Sequence, residues 1–343
     1  MAERFRVGVI GMGNVGGALV RRLTEDADQI AEAAGRPIVL EAIAVAHRGR
    51  RQAPAEFVTA EELLGRKVDA VVELIGGIEP AHTYINKALT AGRQVITANK
   101  QVIAAHGPSL ARLGPLRFEA SVASAIPIVE LLAETFAAER IRSISGILNG
   151  TTNSMLETMA AGASYEDALA DAQRRGLAEA DPSADVDGHD PAAKLAILAM
   201  LAFRLWLDVS QIERTGIRGL DQTRLAESRN RGCVVKLIAA ATLNEMGRID
   251  ADVRPRLIPR DLPMAQVNGP MNAIELDAAK GGPLLLTGLG AGPDAAASAV
   301  LADLVRAARG TPASAGRLLA GLADKPVVAV RSLGPMAPYP AAS

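Results

Sequence analysis

Arg6-Val7-Gly8-Val9-Ile10-Gly11-Met12-Gly13-Asn14-Val15-Gly16-Gly17 decides the fold of this 343-residue chain. Residues 6–10 are a short apolar run, the pattern of a strand buried on both faces of a parallel sheet. Glycines follow with G-x-G-x-x-G spacing, and 18–23 (Ala-Leu-Val-Arg-Arg-Leu) continues as a helix. In that order, glycines permit a tight turn, close approach of backbone to a pyrophosphate, and close packing of helix on strand. The helix N-terminus adds free N–H groups and a favourable dipole. An ordinary glycine-rich turn is the alternative, but the strand–turn–helix context favours a dinucleotide. Gly11, Gly13, Asn14, Val15 and Gly16 are its candidate phosphate-binding residues.

Working outward, a second strand spans 39–46. An NAD-selective unit usually ends this strand with an acid for the ribose 2′-hydroxyl. Here it ends in His47-Arg48-Gly49-Arg50-Arg51, and Glu41 lies too early to reach the tip. Cations at that place favour a 2′-phosphate, hence NADP over NAD, with Arg48 the candidate. The next buried strand, 68–75, runs into Gly76-Gly77, where backbone can approach a ligand. Gly76 is therefore a cofactor candidate. A helix over 81–91 and a strand over 94–97 lead to Thr97-Ala98-Asn99-Lys100, which puts Lys100 where open parallel sheets place ligands.

Further on, 117–122 reads as a strand, 128–136 as a helix, and 144–148 as a strand ending in Asn149-Gly150-Thr151-Thr152-Asn153. Those small, donor-rich residues suit either a polar substrate or a helix N-cap. Ser164 caps a helix over 165–175 that stops at Gly176. The segment 233–246 starts as a strand, with its second half open between irregular structure and a short helix. Strand and proline-marked turns fill 255–268; a strand over 284–289 precedes the glycine turn 288–292 and an amphipathic helix over 294–309.

Between these lies 176–194, Gly-Leu-Ala-Glu-Ala-Asp-Pro-Ser-Ala-Asp-Val-Asp-Gly-His-Asp-Pro-Ala-Ala-Lys. Asp190-Pro191 reads as an N-cap and first helical position, which sets Lys194 above Asp190 on one helix face. By itself the stretch could be a solvated acidic loop. Ser183, Asp185, Asp187 and Gly188 also match calcium-loop positions, but Lys194 stands where the closing glutamate belongs, which excludes that reading. A carboxylate-rich loop facing a lysine at the head of an apolar helix suggests a charged pocket.

Composition narrows the classes further. The net charge of −1 gives no case for nucleic acid or a membrane surface. A single cysteine, Cys233, rules out an intramolecular disulfide and fits a reducing, cytoplasmic setting. The strand beginning at residue 6 leaves no room for a secretory signal, and the apolar run 195–207 contains Arg204 and is too short for a bilayer.

Four blocks then occur together: Leu74-Ile75-Gly76-Gly77, Thr97-Ala98-Asn99-Lys100, 146–153 (Gly-Ile-Leu-Asn-Gly-Thr-Thr-Asn) and 176–194. In order and spacing they resemble homoserine dehydrogenase, over about residues 5–310. The resemblance implies an α/β fold: an N-terminal Rossmann dinucleotide-binding domain and an α+β substrate and dimerisation domain with a mixed sheet. The expected boundaries are 1–127, joined by the returning helix 290–310, then 128–289, then a tail 311–343. It implies reversible, NAD(P)-dependent interconversion of aspartate 4-semialdehyde and homoserine, in threonine, methionine and isoleucine biosynthesis, by a homodimer. By the same resemblance Lys194 is the proton donor, Lys100 lies between nicotinamide and substrate, Glu179 and Asp190 bind substrate with Asp185 next, and Gly292 returns to the cofactor. Asn149, Gly150 and Thr151, with Thr152 behind them, are the candidate donors for the substrate carboxylate, Lys100 being the alternative. A monovalent cation (Na+ or K+) maps to Glu119 and the carbonyls of Val122, Ser124 and Ile126. Relatives have more glycine in that turn, so this site depends on an unchanged backbone conformation. The short form is expected, since the residues after 310 are fewer than the ~50 of a small domain, and with it no threonine feedback through such a domain. Two rivals remain. An aspartate-semialdehyde dehydrogenase would need a nucleophilic cysteine, for which Cys233 is badly placed. A non-catalytic NADP-binding sensor has little use for two site-edge lysines.

Overall fold

Short strands whose central members, Phe5–Ile10 and Ala70–Glu73, are almost wholly buried build the first sheet of the computed structural model, which describes residues 3–47, 49 and 52–333. They are β1 (Phe5–Ile10), β2 (Ile38–Ala44), β3 (Glu56–Val58), β4 (Ala70–Glu73), β5 (Gln94–Thr97) and β6 (Leu116–Arg117). Every pairing is parallel, in the order β3-β2-β1-β4-β5-β6. Crossovers are made by α1 (Asn14–Glu25), α2 (Ala27–Ala34), α3 (Ala60–Gly65), α4 (Ala81–Thr90) and α5 (Lys100–Ala111). The order reverses between β1 and β4, the switch point at which such sheets bind nucleotides beyond their strand ends.

This sheet belongs to a unit formed by Met1–Ala137 and Gly292–Lys325; the other unit holds Ala138–Ala291 and the chain from Pro326. The first unit thus runs past the cut expected after 127, and the expected tail is divided between the two units.

The second sheet is mixed. Its strands are β7 (Ile141–Ile147), β8 (Glu213–Arg214), β9 (Cys233–Leu243), β10 (Ile249–Pro259), β11 (Met271–Ala278), β12 (Gly282–Leu289) and β13 (Val330–Arg331). The order is β12-β11-β7-β9-β10-β13, with β8 also alongside β10. Its helices are α6 (Gly150–Ala160), α7 (Tyr165–Arg174), α8 (Ser183–Val186), α9 (His189–Phe203) and α10 (Gln222–Asn230). Helix α9 is buried from Asp190 to Phe203, as a helix apolar all round must be. After β12 the chain re-enters the first unit through α11 (Pro293–Ala308) and α12 (Ser314–Ala320). Val300 and Leu304 of α11 share one core with Leu19 of α1 and Val7 and Val9 of β1.

Three local expectations are corrected. The strand expected over 117–122 stops at Arg117 and gives way to a tight turn at Glu119–Ser121. There the Glu119 N–H is taken by Asp303 and its carboxylate accepts the N–H groups of Val129 and Glu130, which diverts the chain from the ladder. Residues 233–243 are strand throughout, because β10 pairs antiparallel with β9 along its whole length. Pro255 sits inside β10, where β9 alone lies alongside among the described residues; β8 pairs at Asp252–Val253 and β13 at Ile249–Asp250. A strand tolerates proline where one edge carries no ladder. Finally, Asp190 is not the N-cap. Helix α9 begins at His189 after Gly188, whose φ is 84°, and Pro191 falls within the first turn, where no intrahelical N–H bond is lost.

Candidate active site

On the first unit, the turn between β1 and α1 has the shape of a phosphate cradle. Gly11 has φ 103°, and a Cβ there would lie 2.8 Å from the Leu74 carbonyl. A Cβ on Gly16 would lie 2.2 Å from the Gly11 oxygen, so this glycine lets helix meet turn. Gly13 differs, since a Cβ would meet nothing within 4 Å. No packing demands a glycine there, and its absent side chain leaves room beside the helix end for a ligand. No side chain caps α1 and no acid lies in its first turn. The N–H groups of Asn14, Val15 and Gly16 therefore keep the positive end of the helix open to an anion. These residues fit the pyrophosphate of a dinucleotide. Gly76 and Gly77, with φ 75° and 73°, form the turn after β4, and Gly292, with φ 116°, precedes α11. Lys100 is the first residue of α5, which Asn99 caps by accepting the Val102 N–H. Arg48, the candidate for the 2′-phosphate, lies outside the described residues.

The same unit holds the expected cation turn. Ala123 and Ser124 have φ 51° and 30°, so both keep a left-handed backbone without glycine, at a steric penalty of roughly 1–2 kcal/mol per residue. Glu119 is buried beside it; burial pushes its carboxyl above the usual range, against the pull of the Glu130 and Val129 N–H groups.

On the second unit, most of the expected substrate residues meet in one buried cluster. Lys194 Nζ donates to Asp190 Oδ2 and to the Leu148 carbonyl, both at 2.8 Å. Asn149 Nδ2 donates to Asp185 Oδ1 at 2.7 Å and to Asp190 Oδ2 at 2.9 Å. Its Oδ1 accepts the N–H and the hydroxyl of Thr152, capping α6. Thr151 donates its hydroxyl to the Leu177 carbonyl. Burial, and next the charge of Asp190, push the Asp185 carboxyl above the usual range, while the Asn149 hydrogen bond pulls it down. A Cβ on Gly150 would lie 2.4 Å from the Pro270 carbonyl, so packing already requires glycine there. The acids of 176–194 are not one wall. Glu179 is exposed and outside this hydrogen-bonded cluster, and Asp187 turns away to pair with Arg218 at 2.6 Å.

Glu73 and Lys236 are among the buried charges that escaped the sequence reading. Glu73 ends β4, fully buried. Lys236 lies inside β9 and donates to Asn153 Oδ1, the Val267 carbonyl and Asn268 Oδ1. The only signal for either was a charged residue interrupting an apolar strand.

A phosphate-ready glycine turn on one unit and a lysine–carboxylate cluster on the other define the class: an NAD(P)-dependent oxidoreductase. Comparison with known proteins narrows it. A family model described as homoserine dehydrogenase matches residues 127–305, and one described as homoserine dehydrogenase, NAD binding domain, matches 11–115. Homoserine dehydrogenases of Mycobacterium tuberculosis and Corynebacterium glutamicum are each 42% identical over 88% of this chain and 72% of theirs. Among solved structures, a homoserine dehydrogenase from Thiobacillus denitrificans superposes with TM-score 0.89 at 35% identity, covering 95% of this chain and 80% of that one. A hyperthermophilic archaeal homoserine dehydrogenase in complex with NADPH gives 0.77 at 26%, covering 90% and 99%. The chain belongs to the homoserine dehydrogenase family. Among the described residues, no helix is long and apolar enough to cross a membrane.

Proposed function

We propose that the enzyme interconverts aspartate 4-semialdehyde and homoserine, with Lys194 giving and taking the proton at the reacting oxygen. The observation that carries this is the placement of Lys194. A lysine ammonium has three N–H donors; Asp190 and the Leu148 carbonyl hold two. The remaining donor is aimed by that fixed pair. When bound, the nicotinamide supplies or accepts the hydride at the aldehyde carbon. Reduction leaves negative charge on the oxygen, which the Lys194 proton neutralises; oxidation returns the proton to Lys194. Asp185 and Asp190 meet the α-ammonium, and the first-turn N–H groups of Gly150 and Thr151 face the α-carboxylate. The Asn149 amide is committed at both ends, so it orients the acids rather than the substrate. Glu179 joins the ammonium site only by swinging in from its exposed position.

On the first unit, Lys100 stands between nicotinamide and substrate, and the cations after β2 favour NADP, the reduced form of which the archaeal relative holds. A monovalent cation takes Glu119 and the carbonyls of Val122, Ser124 and Ile126; the left-handed turn at Ala123 and Ser124 supports this. K+-dependent activity indifferent to Glu119→Gln would count against that site. The working form is a cytoplasmic homodimer in amino-acid biosynthesis, a state that a monomeric mass by light scattering would exclude.

The decisive experiment is NADPH oxidation with aspartate 4-semialdehyde. Lys194→Ala is expected to lower kcat by about 10²–10⁴-fold, the usual range for a proton donor, with NADPH affinity intact. No turnover by the wild type, or a wild-type kcat in the variant, overturns the reading.

A further inference from the structure

We propose that Glu73 is a positioning residue: its carboxylate ties the loop after β4 to the loop after β5 and thereby sets both Gly76 and Lys100. The proposal rests on the reading of those two residues given above.

Glu73 follows Ala70-Val71-Val72 in β4 and is fully buried. Burying a carboxylate is costly unless donors surround it. Among the described residues no ion pair reaches Glu73, and its partners are neutral donors. Oε1 accepts the N–H groups of Ile75 at 2.8 Å and Gly76 at 3.3 Å. Oε2 accepts the Thr97 hydroxyl at 2.6 Å. Thr97 Oγ1 then accepts the Asn99 N–H at 2.9 Å. The Asn99 side chain donates to the Gly77 carbonyl at 2.6 Å, and its oxygen caps α5 through the Val102 N–H at 3.1 Å. The bonds leave β4, cross to the end of β5, and return to the loop that follows β4.

The direction of this circuit depends on its origin. Burial raises the Glu73 carboxyl, and the Thr97 hydroxyl and the Ile75 and Gly76 N–H groups oppose that shift; in the ionised form these donors favour, the carboxylate only accepts. Thr97 has a single hydroxyl proton, and because Glu73 takes it, the Thr97 oxygen is oriented to receive the Asn99 N–H. A glutamine at 73 carries one acceptor and two donors. It must either leave the Thr97 hydroxyl proton unpaired or turn donors toward Ile75 and Gly76. The loop itself cannot supply the missing rigidity, since Gly76 and Gly77 both sit at positive φ, where glycine has wide freedom. Nothing else tied into the circuit carries a charge, so removing it takes away orientation rather than a reacting group.

The test compares Glu73→Gln, Thr97→Val and the double variant by steady-state kinetics, NADPH fluorescence titration and thermal denaturation. Each single variant is expected to lose about tenfold in kcat and several-fold in NADPH affinity. The double variant is expected to be no worse than the poorer single one, because both cut the same circuit. KM for homoserine stays within about twofold, because its ammonium site is carried by other elements. Wild-type kcat and NADPH affinity in Glu73→Gln with only a lowered Tm would overturn the proposal, as would losses that multiply in the double variant. If Glu73→Gln does not fold, Thr97→Val, which removes one hydroxyl, decides by the same readouts. A Lys100→Met enzyme with full activity would remove the role of Lys100 and leave the cofactor-affinity arm for Glu73 standing.

Discussion

At Asn149 one amide holds two carboxylates apart. Asp185 and Asp190 both accept its Nδ2, and both are the acids proposed above to meet the substrate ammonium. Asp185 is already raised by burial and by Asp190, and the Asn149 hydrogen bond opposes that shift. Removing the amide therefore raises Asp185 further. A protonated Asp185 cannot pair with an ammonium, so KM for homoserine rises as pH falls through its pKa. In Asn149→Ala this rise is expected to begin at a higher pH than in the wild type. Loss of the α6 cap adds a stability loss of about 1 kcal/mol. KM–pH profiles of the two enzymes decide the matter; superimposable profiles would mean that Asp185 does not bind the ammonium. The residue type of Asn149 suits substrate binding or orientation of the acids, and the role proposed above rests on its partners, 36 and 41 positions away.

The first turn of α1 separates two uses of glycine. Gly11 is required by the chain itself, with φ 103° and no space for a Cβ. Gly13 has open space around it and serves as the N-cap of α1; on the reading proposed above, its missing side chain also makes room for the phosphates. Gly11→Ala is expected to destabilise the protein by about 1–3 kcal/mol. Gly13→Ala is expected to lose no more than about 1 kcal/mol of stability, the cost of alanine at an N-cap, and to weaken NADPH binding at least tenfold. Thermal melts and NADPH titrations of both variants test this, and unchanged affinity in Gly13→Ala would move the phosphates away from this helix end. Elements of this kind were legible because their signals are local: β1, the glycine turn and α1 are contiguous, and Ser164 caps α7 by accepting the Asp167 N–H. The β9–β10 pairing was less so. The five-residue loop 244–248, with Gly247 at φ 72°, is a hairpin signal, but a proline in β10 reads as a break until its unpaired edge is seen. The acid stretch was half legible: spacing gives the Asp190–Lys194 pair, but not that Asp187 leaves for Arg218.

Over the whole molecule, each unit carries its own sheet, and stability is not one number where two cores can unfold separately. The sole tryptophan, Trp206, reports on the second unit, which also contains Lys236. Burial pushes the Lys236 ammonium down from 10.5 to about 8, with Glu157 pulling the other way. Unfolded, a lysine keeps its proton to about pH 10.4. Between about 8 and 10 the unfolded chain therefore binds more protons than the folded one, and stability attributable to this group rises with pH. The limit is about 1.4 kcal/mol per pH unit for one group. Below pH 8 the folded state instead bears a buried cation, held by Asn153, Asn268 and the Val267 carbonyl. Lys236→Met strands those acceptors, so the variant is less stable throughout. The difference in unfolding free energy, wild type minus variant, is expected to widen from pH 8 to pH 10 when followed by Trp206 fluorescence in urea. A constant gap would place the Lys236 proton outside the folding equilibrium, and a gap that narrows would reverse the sign of its burial effect.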